Sequence, residues 1–270
     1  MQPVHEARPC RVALVLSAGG LRGAAHVGVL RQLIRHGVRI DAIVGVSAGA
    51  VIGAYYAAAG LDVDDLILDA ERFRGRHLLT YSVNVQLRHR FERGLTPFCG
   101  VIPDRLRQLE AASFSRLHHD VRALGIVCHD LLRGEACYFA TGSDSGIRLH
   151  EAVRASASIP HLFPPLAARC DGRDVRLTDG GVSDPVPIAF ARAPVIGATH
   201  VIVSDSRWFG TVPRTDPATV WIRPRMADTG TLWSPRRGLL RTVASGIAAV
   251  TPDVIQRIRR WFAAELPSPV

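Results

Sequence analysis

The stretch 43–50 reads Ile-Val-Gly-Val-Ser-Ala-Gly-Ala and places one serine between two glycines in a G-x-S-x-G pattern. An apolar run precedes the pattern and small helix-forming residues follow it, which is typical of a sharp turn between a strand and a helix. Such a turn lifts the hydroxyl of Ser47 clear of the sheet, where it can act as a nucleophile. We expect Gly45 and Gly49 to be required because a side chain at either position would crowd the turn.

A serine hydroxyl is a weak nucleophile and needs a base. Asp179 follows a short apolar run and is itself followed by Gly180 and Gly181. A carboxylate takes a proton from a hydroxyl to which it is hydrogen-bonded, and does so better when a dry site raises its pKa. We therefore predict Asp179 as the base. The simpler alternatives are that Asp-Gly-Gly is an ordinary turn and that Ser47 caps a helix.

A glycine-rich turn, Ala-Gly-Gly-Leu-Arg-Gly at 18–23, joins an apolar run to a helical pattern. Its unpaired N–H groups can bind a phosphate or stabilise a developing oxyanion. The glycine spacing does not match a dinucleotide fingerprint, and no acidic residue follows the second strand as ribose binding would require. The G-x-S-x-G turn that contains Ser47 follows the next strand, which favours an oxyanion hole over a phosphate site. Arg22 alone is equally typical of a surface charge.

The pattern of apolar residues predicts the elements that must hold these three segments. Apolar runs predict strands at 12–16, 40–44, 121–127, 136–140, 175–178 and 200–203, and helical patterns lie at 48–59, after Asp62 and at 149–157. Continuous apolar runs are typical of strands buried on both faces, so the alternation predicts a layered α/β fold with parallel strands. The helix at 48–59 has no polar face and is expected to be buried.

Two further segments bear on contact with lipid. Residues 72–118 are rich in arginine and histidine, and we expect them to form a lid-like excursion over the site. A last amphipathic helix, 251–264, has an apolar stripe together with three arginines. Such a helix either packs on the core of its own protein or lies on an anionic bilayer. The stripe contains Val254, Ile255, Ile258, Trp261 and Phe262, and the arginines are Arg257, Arg259 and Arg260.

The composition narrows the classes of partner. The 270 residues carry a net charge of +9, and every basic side chain other than histidine is an arginine. A basic chain favours anionic partners, but scattered arginines without a nucleic-acid motif favour a lipid headgroup or an anionic membrane over nucleic acid. The five cysteines form no close pair, so we predict no metal site and no cofactor.

The apolar runs also bear on location. No run approaches the ~20 apolar residues that span a bilayer, and the first run is shorter than the core of a signal peptide. We therefore expect a cytoplasmic protein, with peripheral contact as its closest approach to a membrane. The sequence leaves the oligomeric state open.

Four motifs together resemble those of the patatin-like phospholipases, and the core motifs span 12–190 in that family's order. They are Gly19-Gly20-Leu21-Arg22-Gly23 with His26-Val27-Gly28-Val29-Leu30, the Ser47 elbow, Ala155-Ser156-Ala157-Ser158-Ile159-Pro160 with Phe163-Pro164-Pro165, and Asp179-Gly180-Gly181 with Pro185-Val186-Pro187. The resemblance implies a single domain over 1–270 with a three-layer α/β/α fold and a mostly parallel central sheet. It also implies a lipid acyl hydrolase that works through an acyl-enzyme.

Carried over by position, the resemblance implies Ser47 as nucleophile and Asp179 as base, without a catalytic histidine. The N–H groups around Gly19, Gly20 and Gly23, with Arg22, would form the oxyanion hole. Family members usually begin the first motif with three glycines, whereas Ala18 stands first here. If that position needs a positive φ, alanine costs roughly 1 kcal/mol.

Two alternatives remain at this point. One is a Ser-His-Asp triad of the α/β-hydrolase kind, since His200 follows Asp179 in the chain. The other is a catalytically weak member of the same fold that binds lipid or regulates another protein. His26 lies in the first helix, and we expect it to be structural because buried polar side chains are normally hydrogen-bonded.

Overall fold

The computed structural model describes residues 10–73, 101–211, 216–226, 228–235 and 237–263, with the backbone alone at 101–104 and 106. Of the predicted lid-like excursion, residues 74–100 lie outside the described residues. The excursion ends in a helix that begins at Val101.

The strands are β1 Val12–Leu16, β2 Ala42–Val46, β3 Ala123–Asp130, β4 Glu135–Ala140, β5 Leu166–Cys170, β6 Arg173–Asp179, β7 His200–Ser204 and β8 Thr219–Ile222. The helices are α1 Ala24–Arg35, α2 Ala48–Ala57, α3 Val63–Arg72, α4 Val101–Glu110, α5 Leu149–Ser156, α6 Ile188–Arg192, α7 Gly238–Ala249 and α8 Pro252–Ala263. Two 3₁₀ turns, Gly20–Gly23 and Gly180–Val182, follow β1 and β6.

The strands form one sheet in the order β5-β6-β3-β2-β1-β7-β8, and β4 also pairs with β3. The central strands β3, β2, β1, β7 and β8 are parallel, while β4, β5 and β6 pair antiparallel at one end. Parallel strands all end on the same side of a sheet. We call the side where β1, β2, β3 and β7 end the carboxyl edge, and the opposite side the amino edge.

Side chains alternate across this sheet and build two cores. In β1, Val12, Leu14 and Leu16 face one core, and Ala13 and Val15 face the other. The first core is covered by α1, α2, α5, α7 and α8, and the second by the short helix α6 and the loop after it. The predicted three-layer α/β/α fold is therefore confirmed, with one helical layer much thicker than the other.

Several predicted boundaries were displaced. The strand predicted at 40–44 runs from Ala42 to Val46, because the side chain and N–H of Asp41 are hydrogen-bonded to Val12 just before it. Ser47 therefore follows the strand without a spacer. The strand predicted at 175–178 is longer, Arg173–Asp179, since it pairs with β5 in an antiparallel hairpin. Four elements were not predicted at all: β5, β8, α6 and α7.

The packing of α7 against α1 depends on two glycines. A Cβ on Gly246 would lie 2.0 Å from the carbonyl oxygen of Ala25, and a Cβ on Gly28 would lie 2.0 Å from that of Val243. Each glycine therefore lets the backbone of one helix contact the other. This contact explains how a helix can tolerate glycine in its interior, which costs roughly 1 kcal/mol in isolation.

The last helix, α8, turns its apolar stripe inward. Val254, Ile255, Ile258 and Trp261 are buried in the first core, and the indole N–H of Trp261 donates to the carbonyl of Pro217 at 2.9 Å. Of the two roles considered for this helix, the structure favours packing on the core. Among the described residues, no single helix is long and apolar enough to cross a bilayer; only α7 and α8 together, bent by 56°, meet that criterion of length and composition.

Candidate active site

Ser47 occupies the turn between β2 and α2 with φ 56° and ψ −123°. A non-glycine residue in this region of the backbone is strained, and such strain persists only where the surroundings enforce it. The surroundings here are backbone atoms: a Cβ on Gly49 would lie 2.1 Å from the carbonyl oxygen of Leu16, and one on Gly45 would lie 2.4 Å from that of Gly49. The elbow predicted from the two glycines is therefore present.

The sheet register explains why Ser47 and Asp179 meet although 132 residues separate them. Val46 pairs with Val127 of β3, and Asp179 pairs with the next residue of that strand, Cys128. Because β4 pairs with β3 over 125–130 and occupies one side of it, β2 and β6 share the other side. The end of β2 and the end of the antiparallel strand β6 therefore meet at adjacent positions of β3, which brings Ser47 next to Asp179.

The hydroxyl of Ser47 donates a hydrogen bond to Oδ2 of Asp179 at 2.6 Å. The other oxygen of Asp179, Oδ1, accepts from the N–H of Gly181 at 2.8 Å. Burial raises the pKa of Asp179 to about 6, although these two hydrogen bonds act in the opposite direction. The carboxylate is thus a stronger base than an exposed aspartate and is still mostly ionised at neutral pH.

The last residue of α5 and the loop after it position both residues, and the sequence did not reveal this role. Ser156 is fully buried; its hydroxyl accepts from the N–H of Ser47 at 2.9 Å and donates to the carbonyl of Val127 at 2.6 Å. Two residues later, the carbonyl of Ser158 accepts from the N–H of Asp179 at 3.0 Å. The segment 155–160 is one of the motifs of the family resemblance, but only the fold shows what Ser156 and Ser158 contact.

The glycine-rich turn lies beside the elbow. A Cβ on Gly23 would approach that of Ala48 to 2.5 Å, and one on Gly19 would meet the hydroxyl of Ser206 at 2.2 Å. Gly20 has a positive φ of 56°. The N–H groups of Leu21 and Arg22 donate to Thr231 and Gly19, whereas those of Gly19 and Gly20 have no partner within the described ranges. The N–H groups of Gly19 and Gly20 are therefore available to donate hydrogen bonds to a ligand.

The substitution of alanine for the first glycine of the motif is accommodated without strain. Ala18 is not among the described non-glycine residues with positive φ, so the expected cost does not arise. The neighbouring turn makes room for its methyl group, since a Cβ on Gly181 would lie 2.9 Å from that of Ala18. Gly180 is pressed against the carbonyl of Val127, 2.2 Å from where its Cβ would be.

Arg22 differs from the expectation that its side chain would help to form the oxyanion hole. Its Nε donates to the carbonyl of Ser206 at 3.0 Å and its Nη1 to that of Thr229 at 2.9 Å. The guanidinium also stacks over the ring of Trp208, 4.6 Å from the centroid. These carbonyls lie on two loops outside the elbow, so Arg22 supports the glycine-rich turn from behind.

An apolar cavity of about 280 Å³ opens at Ser47. Val51, Ile52 and Tyr55 of α2 line it on one side, and α3 and the loop 157–164 line it on others. The prediction that helix 48–59 is buried all round was therefore wrong for these three residues, which are half-exposed. The cavity also contains an ion pair between Arg105 and Asp69, with Nε and Oδ2 2.6 Å apart.

The family model for the patatin-like phospholipases matches residues 14–192, which is about two thirds of the chain. The chain belongs to the patatin-like phospholipase family. An uncharacterised NTE family protein of Mycobacterium tuberculosis is 35% identical over 183 residues, which cover 66% of this chain and 45% of that protein. A lysophospholipase of Emericella nidulans, nte1, is 32% identical over 205 residues, covering 72% of this chain and 12% of that protein. The patatin-like chain thus spans less than half the length of these curated relatives.

Two solved structures share the patatin-like fold of this chain at low identity. VipD from Legionella pneumophila superposes with a TM-score of 0.57 and 15% identity, over 94% of this chain and 67% of that one. The human GIVD cytosolic phospholipase A2, solved with a methyl gamma-linolenyl fluorophosphonate inhibitor, gives a TM-score of 0.54 and 12% identity over 94% and 60%.

The histidines of this patatin-like chain that were considered for catalysis are engaged elsewhere. His200 begins β7 at the amino edge, where its ring contacts Thr199 and Trp261; the triad alternative therefore gains no base from it. His26 is buried and hydrogen-bonded through Nδ1 to Ser204 and through Nε2 to the carbonyl of Ser17. Burial lowers the pKa of His26 to about 4, so its ring is neutral at pH 7, as a structural role requires.

Proposed function

We propose that this protein hydrolyses a carboxylic ester of a lipid through an acyl-enzyme on Ser47, with Asp179 as the base. The observation that carries the proposal is the 2.6 Å hydrogen bond from the Ser47 hydroxyl to the buried Asp179 carboxylate at the mouth of an apolar cavity. Membership of the patatin-like phospholipase family and the similarity to a lysophospholipase support the same class of reaction.

In the first half of the reaction, Ser47 Oγ attacks the ester carbonyl carbon and its proton passes to Asp179 Oδ2. The carbonyl oxygen becomes an oxyanion, for which we propose the N–H groups of Gly19 and Gly20 as donors. Preorganised backbone donors of this kind are each worth about 10²–10³ in turnover. Gly20 borders the same cavity as Ser47, which supports this assignment.

Collapse of the tetrahedral intermediate breaks the ester C–O bond, and the leaving alcohol takes the proton from Asp179. In the second half, Asp179 removes a proton from a water molecule, which attacks the acyl-enzyme carbonyl. The second intermediate releases the fatty acid and returns the proton to Ser47 Oγ. A base with a pKa near 6 suits both halves because it can accept and return a proton near neutral pH.

The cavity supports a lipid acyl chain as the acyl group. Tyr55 lies eight residues after Ser47 on α2, which corresponds to about 12 Å at 1.5 Å per residue. The Asp69–Arg105 pair lies in the same cavity, and both side chains are only 16% exposed. An acyl chain that reached this pair would have to desolvate charged groups. We therefore propose a preference for acyl chains of medium length.

The test combines covalent labelling with an ester panel. The full chain and its Ser47→Ala variant are treated with an alkyl fluorophosphonate and analysed by intact mass, then assayed on p-nitrophenyl esters from acetate to palmitate. We expect the wild type alone to gain one phosphonyl adduct and to turn over octanoate or decanoate fastest. A wild type that takes no adduct and hydrolyses no ester would point to the lipid-binding, regulatory alternative. Cytoplasmic location remains a prediction from the sequence.

A further inference from the structure

Two loops beside the glycine-rich turn expose large apolar side chains. Trp208 and Phe209, after β7, are 51% and 80% exposed, and Leu232 and Trp233, before α7, are 37% and 66% exposed. We call these four residues the aromatic rim. Single exposed apolar residues are ordinary on protein surfaces, whereas a cluster of aromatic ones marks a contact surface.

Contacts through the glycine-rich turn bring the two loops together and place them at the cavity. The guanidinium of Arg22 links them, because it donates to the carbonyls of Ser206 and Thr229 and stacks on Trp208. The N–H of Leu21 donates to the carbonyl of Thr231 at 2.8 Å. Since Leu21 also lines the cavity that contains Ser47, the glycine-rich turn connects the aromatic rim to the cavity wall.

The charge around the aromatic rim is positive. The described residues of segment 205–241 include five arginines and three aspartates, an excess of two positive charges. Four of these arginines are exposed; Arg223 and Arg241 pair with Asp205 and Asp228, whereas Arg225 and Arg237 form no ion pair with the described residues. Tryptophan and phenylalanine flanked by arginine match the boundary of an anionic bilayer, where the rings enter the headgroup region and the cations meet lipid phosphates.

We propose that the aromatic rim docks this protein on the surface of an anionic phospholipid bilayer, with Phe209 and Trp233 entering the headgroup region. Docking in this orientation turns the cavity mouth toward the membrane, so an acyl chain can pass from the bilayer to Ser47. The role that we give to docking rests on the proposed lipid hydrolysis. Binding to a bilayer can nevertheless be measured in the absence of any ester hydrolysis. The occupant of the surface is a lipid bilayer and not a second protein.

The experiment measures cosedimentation of the full chain with vesicles of phosphatidylglycerol and phosphatidylcholine, and with vesicles of phosphatidylcholine alone. The test variant is Phe209→Ser with Trp233→Ser; Trp208 is left intact because it stacks on Arg22. The matched control is Ile34→Ser with Val195→Ser, which removes two apolar side chains that are 41% and 42% exposed and lie at the amino edge.

We expect the wild type and the control variant to bind the anionic vesicles alike, and the test variant to bind them more than tenfold more weakly. Equal binding by the test variant, or no binding by the wild type, would overturn the proposal. Dimerisation of the wild type that the test variant abolishes, without vesicle binding, would instead assign the surface to a second copy. Thermal unfolding of each variant verifies that it is folded.

The Ser47→Ala variant separates this proposal from the proposed function. It leaves the aromatic rim untouched, so we expect it to bind anionic vesicles as the wild type does. Vesicle binding by a wild type that hydrolyses no ester would leave docking standing and remove the enzymatic role. If the wild type hydrolyses esters but the test variant binds vesicles as tightly as the wild type, the enzymatic role stands and docking through the aromatic rim is refuted.

Discussion

The two edges of the sheet both carry clusters of hydroxyl, carboxylate and imidazole groups, but they use them differently. At the amino edge, Asp41 accepts from the N–H of Val12 at 2.8 Å, and Thr199 accepts from the N–H of Arg11 at 2.8 Å. His200 packs its ring against Trp261. These polar side chains complete backbone hydrogen bonds and attach the last helix to the sheet.

At the carboxyl edge, polar groups are arranged around a side-chain pair. The strained backbone of Ser47 directs its hydroxyl to Asp179, whose pKa burial raises to about 6. Ser156 and Ser158 hold the two partners through backbone N–H groups. The comparison indicates that residue types alone do not mark an active site. What marks it is a nucleophile and a base bonded to each other beside open space.

The largest effect on this comparison is expected from Ser47→Ala, which removes the candidate nucleophile. We expect turnover of a soluble ester to fall by at least about 10⁴-fold, measured as initial rates on p-nitrophenyl octanoate. The matched control at the amino edge is Thr199→Ala, which also removes one hydroxyl and should leave turnover unchanged. Retained activity in Ser47→Ala would remove the distinction between the two edges.

Asp179→Asn should lower turnover by about 10³–10⁴-fold, because an amide cannot accept the serine proton. The same change should stabilise the fold above pH 6. Burial raises the folded-state pKa to about 6 from 3.8, so between these values the folded state binds more protons than the unfolded chain and stability falls as pH rises. Neutral asparagine avoids that cost, about 3 kcal/mol at pH 8. Urea unfolding of both proteins at pH 8 measures the gain; a destabilised variant would contradict this account.

The pH profile should show the ionisation of Asp179. Since the base must be unprotonated, kcat/KM should decline about tenfold per pH unit below its pKa and level off above pH 7. A midpoint near pH 6 is expected from the buried carboxylate. His26, with a pKa lowered to about 4, stays neutral at that midpoint. A midpoint near pH 4, with circular dichroism showing a folded protein, would contradict the raised pKa of Asp179.

Ser156→Ala tests the end of α5, which positions Ser47. It leaves the N–H of Ser47 without its partner, so we expect turnover to fall by about 10–100-fold, with a loss of about 1–3 kcal/mol in stability. Ser158→Ala is the control, because Ser158 contacts Asp179 through its backbone carbonyl and its hydroxyl bonds only to Arg154 among the described residues. Equal losses in both variants would mean that the two hydroxyls play no distinct roles.

The smallest effect on activity is expected at the amino edge. Asp41→Ala removes the acceptor for the N–H of Val12 and should cost about 2 kcal/mol of stability, measured by chemical unfolding. Turnover at a temperature where the variant is folded should not change. A drop in turnover comparable with that of Ser156→Ala would show that the two edges are coupled.

The sequence was sufficient for the centre of the fold because that region obeys local rules. The continuous apolar runs of β1 and β2 can only be buried strands, and the glycines around Ser47 mark the turn between strand and helix. The edge strand β5 was missed because its sequence, Leu-Ala-Ala-Arg-Cys, shows neither a long apolar run nor an alternation of polarity: Ala167 is exposed as Arg169 is. Among the described strands, its partner is β6. Helix α7 was missed since Gly246, unfavourable within a helix, is explained only by its contact with α1.

In the site, residue types predicted Ser47 and Asp179 but not the groups that hold them. The role of Ser156 depends on the register of β3 against β2, which places the carbonyl of Val127 within its reach. The family resemblance implies Arg22 as part of the oxyanion hole, while the residue type alone is equally typical of a surface charge. Its actual partners, Ser206 and Thr229, come from loops about 200 residues away, and no local pattern connects them to it.

The two sides of helix α2 have different surroundings. Ala50 and Ala54 are fully buried in the core, whereas Val51, Ile52 and Tyr55 border the cavity. Because these three side chains are only partly buried and pack at the margin of the core, we expect a change in their size to cost less stability than a change at Ala50 or Ala54. If the proposed function holds, these three side chains set the width of the acyl pocket beside Ser47, and their exchange alone would change which acyl chains fit.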